Sequence, residues 1–110
     1  MGLTQSIQDG VVLVRAEGQL TVGNRHELKE LVAGQLTGGQ RRFVLDFSRT
    51  GYIDSSGLGA LVTVSRQVRE QGGDLRLAGL NEDLRALFEL TKLDTLFAIS
   101  NTSEQALAGF

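Results

Sequence analysis

The sequence has no cysteine and no proline, a single histidine, and no long apolar run. Without cysteine there are no disulfides, thiolate metal sites or cysteine nucleophiles, which fits a reducing compartment. With His26 as the one histidine, a serine nucleophile lacks an obvious base and a metal lacks an imidazole cluster. The absence of proline leaves helical segments uninterrupted. No stretch approaches the roughly 20 apolar residues of a membrane helix. Met1 to Ser6 also lacks the basic segment and apolar core of a signal peptide. A soluble, cytoplasmic protein with no direct membrane insertion is expected. Lysine and arginine are scattered and the net charge is -2, so the concentrated positive charge that favours nucleic acid or anionic lipid is missing.

What is present suffices for one domain over residues 1–110, of which 41% are hydrophobic. Leu3 to Gln8 reads as a short strand, Asp9-Gly10 as a tight turn, and Val11 to Glu17 as the antiparallel partner. Val12, Val14 and Ala16 share one face and Val11 and Leu13 the other, which predicts a strand covered on both sides. Gly18 to Gly23 reads as a turn into a first helix, with Asn24 as its cap and Glu27 as the capping-box acid. Leu28, Leu31, Val32 and Leu36 form that helix's apolar stripe, with Arg25, Lys29 and Glu30 turned away and Gly38-Gly39 as its stop. Phe43 to Phe47 is apolar on both faces, as a central parallel strand would be. A second helix carries Leu58, Leu61, Val62, Ser65, Val68 and Arg69 on one face and ends at Gly72-Gly73. Leu75 to Ala78 is a strand, Asn81 opens a third helix, Leu96 to Ile99 is a last strand, and Asn101-x-x-Glu104 caps a terminal helix. The order β-β-α-β-α-β-α-β-α implies an α/β domain: a mixed, mostly parallel sheet with an N-terminal antiparallel hairpin and about four helices.

The chemistry concentrates between Tyr52 and Leu61, where a strand hands over to a helix. Asp54, Ser55, Ser56, Gly57 and Gly59 gather at a place whose unpaired N–H groups favour an anion. A serine here is a helix cap, a nucleophile, a phosphate ligand or a phosphorylation site. Hydrolysis lacks both a base and the Gly-x-Ser-x-Gly elbow. Gly57-Leu58-Gly59 lacks the third glycine or the lysine of a nucleotide loop, and no metal-ligand spacing occurs. No enzyme activity, cofactor or metal is therefore expected. Asp46 is read as binding nearby loop amides; Asp54 stays open between helix cap and member of a site at the strand end. Two adjacent serines exceed what one cap requires, and Ser56 suits capping or loop support. A phosphate on Ser55 would meet first-turn N–H groups and add about -1.5 to -2 charges beside Asp54, at a surface where a docking partner would feel it.

Asp54-Ser55-Ser56-Gly57-Leu58-Gly59, after an apolar strand ending in Asp46-Phe47, resembles the signature of the STAS domain. More narrowly it is similar to the bacterial anti-sigma-factor antagonists. The Gly18-x-Leu20 turn, the strand order, the Gly72-Gly73 break and Asn81 to Leu93 fall where that family has them. The resemblance implies a STAS-like single domain that is a kinase substrate. Ser55 would be phosphorylated by the cognate anti-sigma factor, an ATP-dependent serine kinase. The unmodified chain would bind that kinase and free the sigma factor, the phosphorylated chain would not, and a PP2C-type phosphatase would reset it. Asp54, Ser56 and Gly57 would shape the loop, and Gly59, Thr63 and Arg66 would adjoin the docking surface on the outward face of the second helix. Thr21 stands where many antagonists carry an acid, next to the phosphorylation loop. Two other settings carry the same domain: a subunit of an ABC-type lipid-transport complex, with the serine stretch as a constant contact, and a stressosome-type scaffold.

Overall fold

The computed structural model describes residues 2–110; Met1, the first residue of the segment read as lacking a leader, lies outside the described residues. Strands β1 (Gly2–Gln8) and β2 (Val11–Leu20) form the expected hairpin. Its turn, Asp9-Gly10, has φ of +52° and +78°, the left-handed pair whose twist matches that of the flanking strands. There follow α1 (Arg25–Thr37), β3 (Arg42–Ile53), α2 (Ser55–Glu70), β4 (Asp74–Ala78), α3 (Glu82–Leu90), a 3-10 turn (Leu93–Thr95), β5 (Ala98–Ser100) and α4 (Ser103–Ala108). The sheet order is β1-β2-β3-β4-β5, with every pair after the hairpin parallel.

Helices α1, α2 and α3 cover one face of the sheet. There Val12 and Val14 of β2 and Phe43, Leu45 and Phe47 of β3 meet Leu28, Val32, Leu61, Val64, Val68, Leu84 and Phe88. Each such side chain contributes about 1.5–3 kcal/mol when fully buried. On the opposite face Val11, Leu13, Val44 and Ala78 pack under Ala106 of α4. The two-faced burial of β2 and β3 is thus what their sequences predict.

Several boundaries differ from the sequence reading, and one of them builds the site. β2 does not stop at Glu17 and turn at Gly18; it continues to Leu20 beside a β3 that runs past Phe47 to Ile53. Register shifts between Arg15 and Glu17 and between Gly18 and Gln19 break the alternation, so the extension is invisible to a period-two pattern. Ala16 is left out of the pairing with β3, and its carbonyl accepts instead from the buried Thr50 hydroxyl at 2.9 Å. Gly18 takes φ +98°, a value that favours glycine.

The buried face of α2 is Gly57, Ala60, Leu61, Val64, Ser65 and Val68, with Leu58 half-buried against the core and Val62 and Arg69 off that face. Small residues at 57 and 60 let this helix lie close to the sheet, which a search for large apolar side chains misses. On α1, Arg25 and Lys29 are half-buried and not turned fully outward. Leu96 ends the 3-10 turn instead of opening β5, although Phe97 still packs edge-on against Phe88 at 6.0 Å between ring centroids. Thr102, not Asn101, caps α4: its hydroxyl accepts from Gln105 N–H at 3.2 Å, while the Asn101 amide oxygen accepts from Arg85 at 3.0 Å. Among the described residues, no helix is long and apolar enough to cross a membrane.

Candidate functional site

The paired ends of β2 and β3 bring Leu20 beside Ile53, and the next residue, Asp54, donates its N–H to the Leu20 carbonyl at 3.1 Å. Asp54 is extended (φ -88°, ψ 179°) and caps α2, its Oδ1 accepting from Gly57 N–H at 2.8 Å. Its other oxygen accepts from Val22 N–H at 3.3 Å. One carboxylate therefore caps α2 and joins its first turn to the loop between β2 and α1. Gly57 is buried in that first turn. A Cβ there would run into the Leu20 carbonyl oxygen and stand 2.8 Å from Ile53 Cγ2. Gly57 is needed for close approach of helix to strand, not for turning the backbone.

The facing loop is closed by Asn24, which stands at the N-cap of α1 but makes no side-chain cap bond to it. Its side chain folds backward: Oδ1 accepts from Thr21 N–H at 2.9 Å and Nδ2 donates to Gln19 O at 2.7 Å. Thr21 is half-buried, and its hydroxyl accepts from Gly23 N–H at 3.3 Å. Thr21 thus braces its own turn. Asp46 is nearly buried at 5% exposure and binds Ser48 N–H at 2.9 Å, as expected, together with Arg15 at 3.3 Å.

Ser55 and Ser56 are the first two residues of α2, after the cap. Ser55 is exposed and Ser56 half-buried. Because Asp54 supplies the cap, that role does not fall to Ser56, and both serines are left at a helix start whose backbone N–H groups favour negative charge. Gly59, Thr63 and Arg66 run along the outer side of the same helix: Gly59 and Arg66 are exposed and Thr63 half-buried. A Cβ on Gly59 would have nothing within 4 Å, so that glycine answers no packing need inside the chain. Farther along, Arg66 borders a shallow depression of about 510 Å³ with Val62, Arg69, Glu70 and Leu96.

Two neighbours of the serines carry an observation the sequence did not single out. Val22 is 61% and Tyr52 53% exposed, flanking Asp54 in the loop and on β3 respectively. These are two large side chains left in water near the exposed Ser55. Their signal in sequence is faint, since nothing local says that either finds no partner within the chain.

A polar cleft of about 440 Å³ lies elsewhere, lined by Arg15, Glu17, Asp46, Arg49, Asn101 and Glu104 among others. Four of its charges pair with one another, Arg15 with Asp46 and Arg49 with Glu17 at 3.2 Å. Among the described residues no cluster of three metal-ligating side chains occurs, and His26 is exposed on α1.

Comparison with known proteins agrees with this geometry. Residues 4–106 match the family model of the STAS domain. BtrV of Bordetella bronchiseptica, named as an anti-sigma factor antagonist, is 34% identical over 110 residues, covering 100% of this chain and 95% of that protein. The crystal structure of a Thermotoga maritima protein named likewise superposes with a TM-score of 0.91 at 29% identity, covering 97% of this chain and 92% of that one. The Bacillus antagonist SpoIIAA, solved unphosphorylated and phosphorylated, shares the fold with TM-scores of 0.76 and 0.77 at 16% and 19% identity. Those superpositions cover 98% and 97% of this chain and 96% and 97% of the SpoIIAA chains. The chain belongs to the STAS domain family, among relatives named anti-sigma factor antagonists.

Proposed function

We propose that this protein is an anti-sigma-factor antagonist whose binding is switched by phosphorylation of Ser55. The carrying observation is an exposed serine at the start of α2, just after the Asp54 cap. Because Asp54 already holds the helix start, Ser55 is free to be modified without loss of the cap. A phosphate there meets backbone N–H groups and the positive end of a 16-residue helix, so the folded domain tolerates it. That SpoIIAA has been solved in both forms with one fold supports the same behaviour here. The added charge stands beside Asp54, Val22 and Tyr52, and so alters the surface a partner meets without rebuilding the domain.

In this reading the unmodified chain docks on an anti-sigma factor that is itself a serine kinase, with Thr21, Val22, Tyr52, Gly59, Thr63 and Arg66 around the serine as contact surface. Docking releases the sigma factor. Phosphorylation of Ser55 ends the interaction, and a PP2C-type phosphatase restores it. The protein is a substrate and not a catalyst. Its identity as a substrate is tested by incubation with the cognate kinase and ATP, followed by mapping of the phosphate by mass spectrometry. A single phosphate on Ser55, absent from Ser55→Ala, is expected. Phosphate on another residue with Ser55 unmodified would sink the assignment.

Tyr52 supplies a second check on the contact surface. Its side chain is half in water in the free protein, so Tyr52→Ala should leave thermal stability almost unchanged. Tyrosine is a frequent anchor of interfaces, and its loss is expected to weaken kinase binding roughly thirtyfold. A thermal melt reads the first half of that expectation and titration calorimetry the second, and unchanged affinity would remove Tyr52 from the interface.

A further inference from the structure

The outer edge of the sheet on the β1 side carries none of the features that keep edge strands apart. β1 is seven residues long, Gly2 to Gln8, and holds no charge and no proline. Its pairing with β2 runs without a register shift, so no bulge twists it away. From Thr4 to Gln8 every residue is exposed, and Ile7 is 55% exposed. The opposite edge, β5, is guarded in the ordinary way by being three residues long.

The strand is also self-complementary. Leu3-Thr4-Gln5-Ser6-Ile7 has the same chemical order in both directions: aliphatic, hydroxyl, amide, hydroxyl, aliphatic. The backbone agrees with that symmetry. In a two-residue hairpin the residues flanking the turn exchange both hydrogen bonds, and bonded and non-bonded pairs alternate from there. With Gln8 opposite Val11, the groups of Leu3, Gln5 and Ile7 are the ones directed at the free edge. Leu3, Gln5 and Ile7 also share one face, opposite Ala16, Val14 and Val12.

We infer that β1 pairs antiparallel with β1 of a second copy of this chain, about a two-fold axis through Gln5. Leu3 then faces Ile7 of the other copy at both ends of the contact, Thr4 faces Ser6, and the two Gln5 residues face each other. The outward groups form about six intermolecular backbone hydrogen bonds, and two five-stranded sheets become one. The pairing covers Ile7 and closes the unguarded edge, and like charges oppose each other nowhere along it. It involves none of the residues around Ser55, so it stands or falls separately from the proposed function.

Sedimentation velocity of the full chain across a concentration series tests this, with Gln5→Lys and Gln5→Glu as variants. The side chain of Gln5 makes one exposed hydrogen bond, to Gln35, so both variants are expected to fold as the parent does by circular dichroism. Each variant alone places like charges opposite one another and should weaken the dimer roughly fivefold or more. An equimolar mixture of the two places opposite charges across the axis and should recover it. A parent chain that stays monomeric at millimolar concentration overturns the proposal, leaving the edge to a strand of another protein. So does a dimer indifferent to both variants.

Discussion

Gly57→Ala is expected to cost about 2–4 kcal/mol of stability, a large part of the 5–15 kcal/mol that holds a domain of this size. Midpoint temperature should fall by about 10 °C or more. The reason is contact, not backbone conformation: the new methyl would run into the carbonyl oxygen of Leu20 and stand 2.8 Å from Ile53 Cγ2. Neither neighbour moves easily. Leu20 is fully buried and its carbonyl accepts from Asp54 N–H, while Ile53 is buried at the end of β3. Gly57→Val should be worse, because two more methyl groups meet the same wall. Gly59→Ala is the internal control, two residues on in the same helix with nothing within 4 Å of its Cβ. There the gain in helix propensity should stabilise by up to about 1 kcal/mol. Urea melts of both variants measure the difference, and equal effects would contradict the close approach of α2 to the end of β2.

Ser55→Glu is expected to weaken kinase binding at least tenfold, about 1.4 kcal/mol, while Ser55→Ala stays within about twofold of the parent. The carboxylate carries one negative charge against the -1.5 to -2 of a phosphate, so it reproduces only part of the switch. It must not be confused with unfolding, and the helix provides the distinction. A negative side chain in the first turn of α2 interacts favourably with the helix dipole, by about 0.3–1 kcal/mol. Ser55→Glu should therefore melt no lower than the parent while binding worse. Repeating the titration in high salt adds a test of cause. Screening shortens from about 10 Å at 0.1 M to about 3 Å at 1 M, so a charge effect should shrink. A binding loss shared equally by Ser55→Ala would mean that the hydroxyl, and not charge, makes the contact.

The order of elements along the chain and the two-faced strands were legible because apolar runs and turn residues report them directly. Asp9-Gly10 fixes the hairpin, and Val11 to Val14 and Phe43 to Phe47 are apolar on both faces because both faces are covered. The serine stretch was legible as the start of a helix. What the sequence hid was the origin of its geometry. Leu20 reaches Ile53 through two register shifts, whose effect on side-chain direction erases the alternation that would have revealed the longer strands. Asn24 and Asp54 are both acceptable caps by residue type, yet only the Asp54 side chain bonds its helix while that of Asn24 braces the loop opposite. Such a choice depends on what lies across the fold, which no local pattern contains. The exposed Val22 and Tyr52 were hidden for the converse reason: local sequence does not say which apolar residue finds no partner at home.

The central claim is that one phosphate on Ser55 separates a binding form of this protein from a non-binding form with the same fold. Titration calorimetry against the cognate kinase, using the unmodified chain and the chain phosphorylated enzymatically at Ser55, tests it most directly. The expected result is tight binding by the unmodified form and an affinity at least about a hundredfold lower for the phosphorylated form, roughly 2.7 kcal/mol, with matching circular dichroism spectra. Equal affinities for the two forms would contradict it.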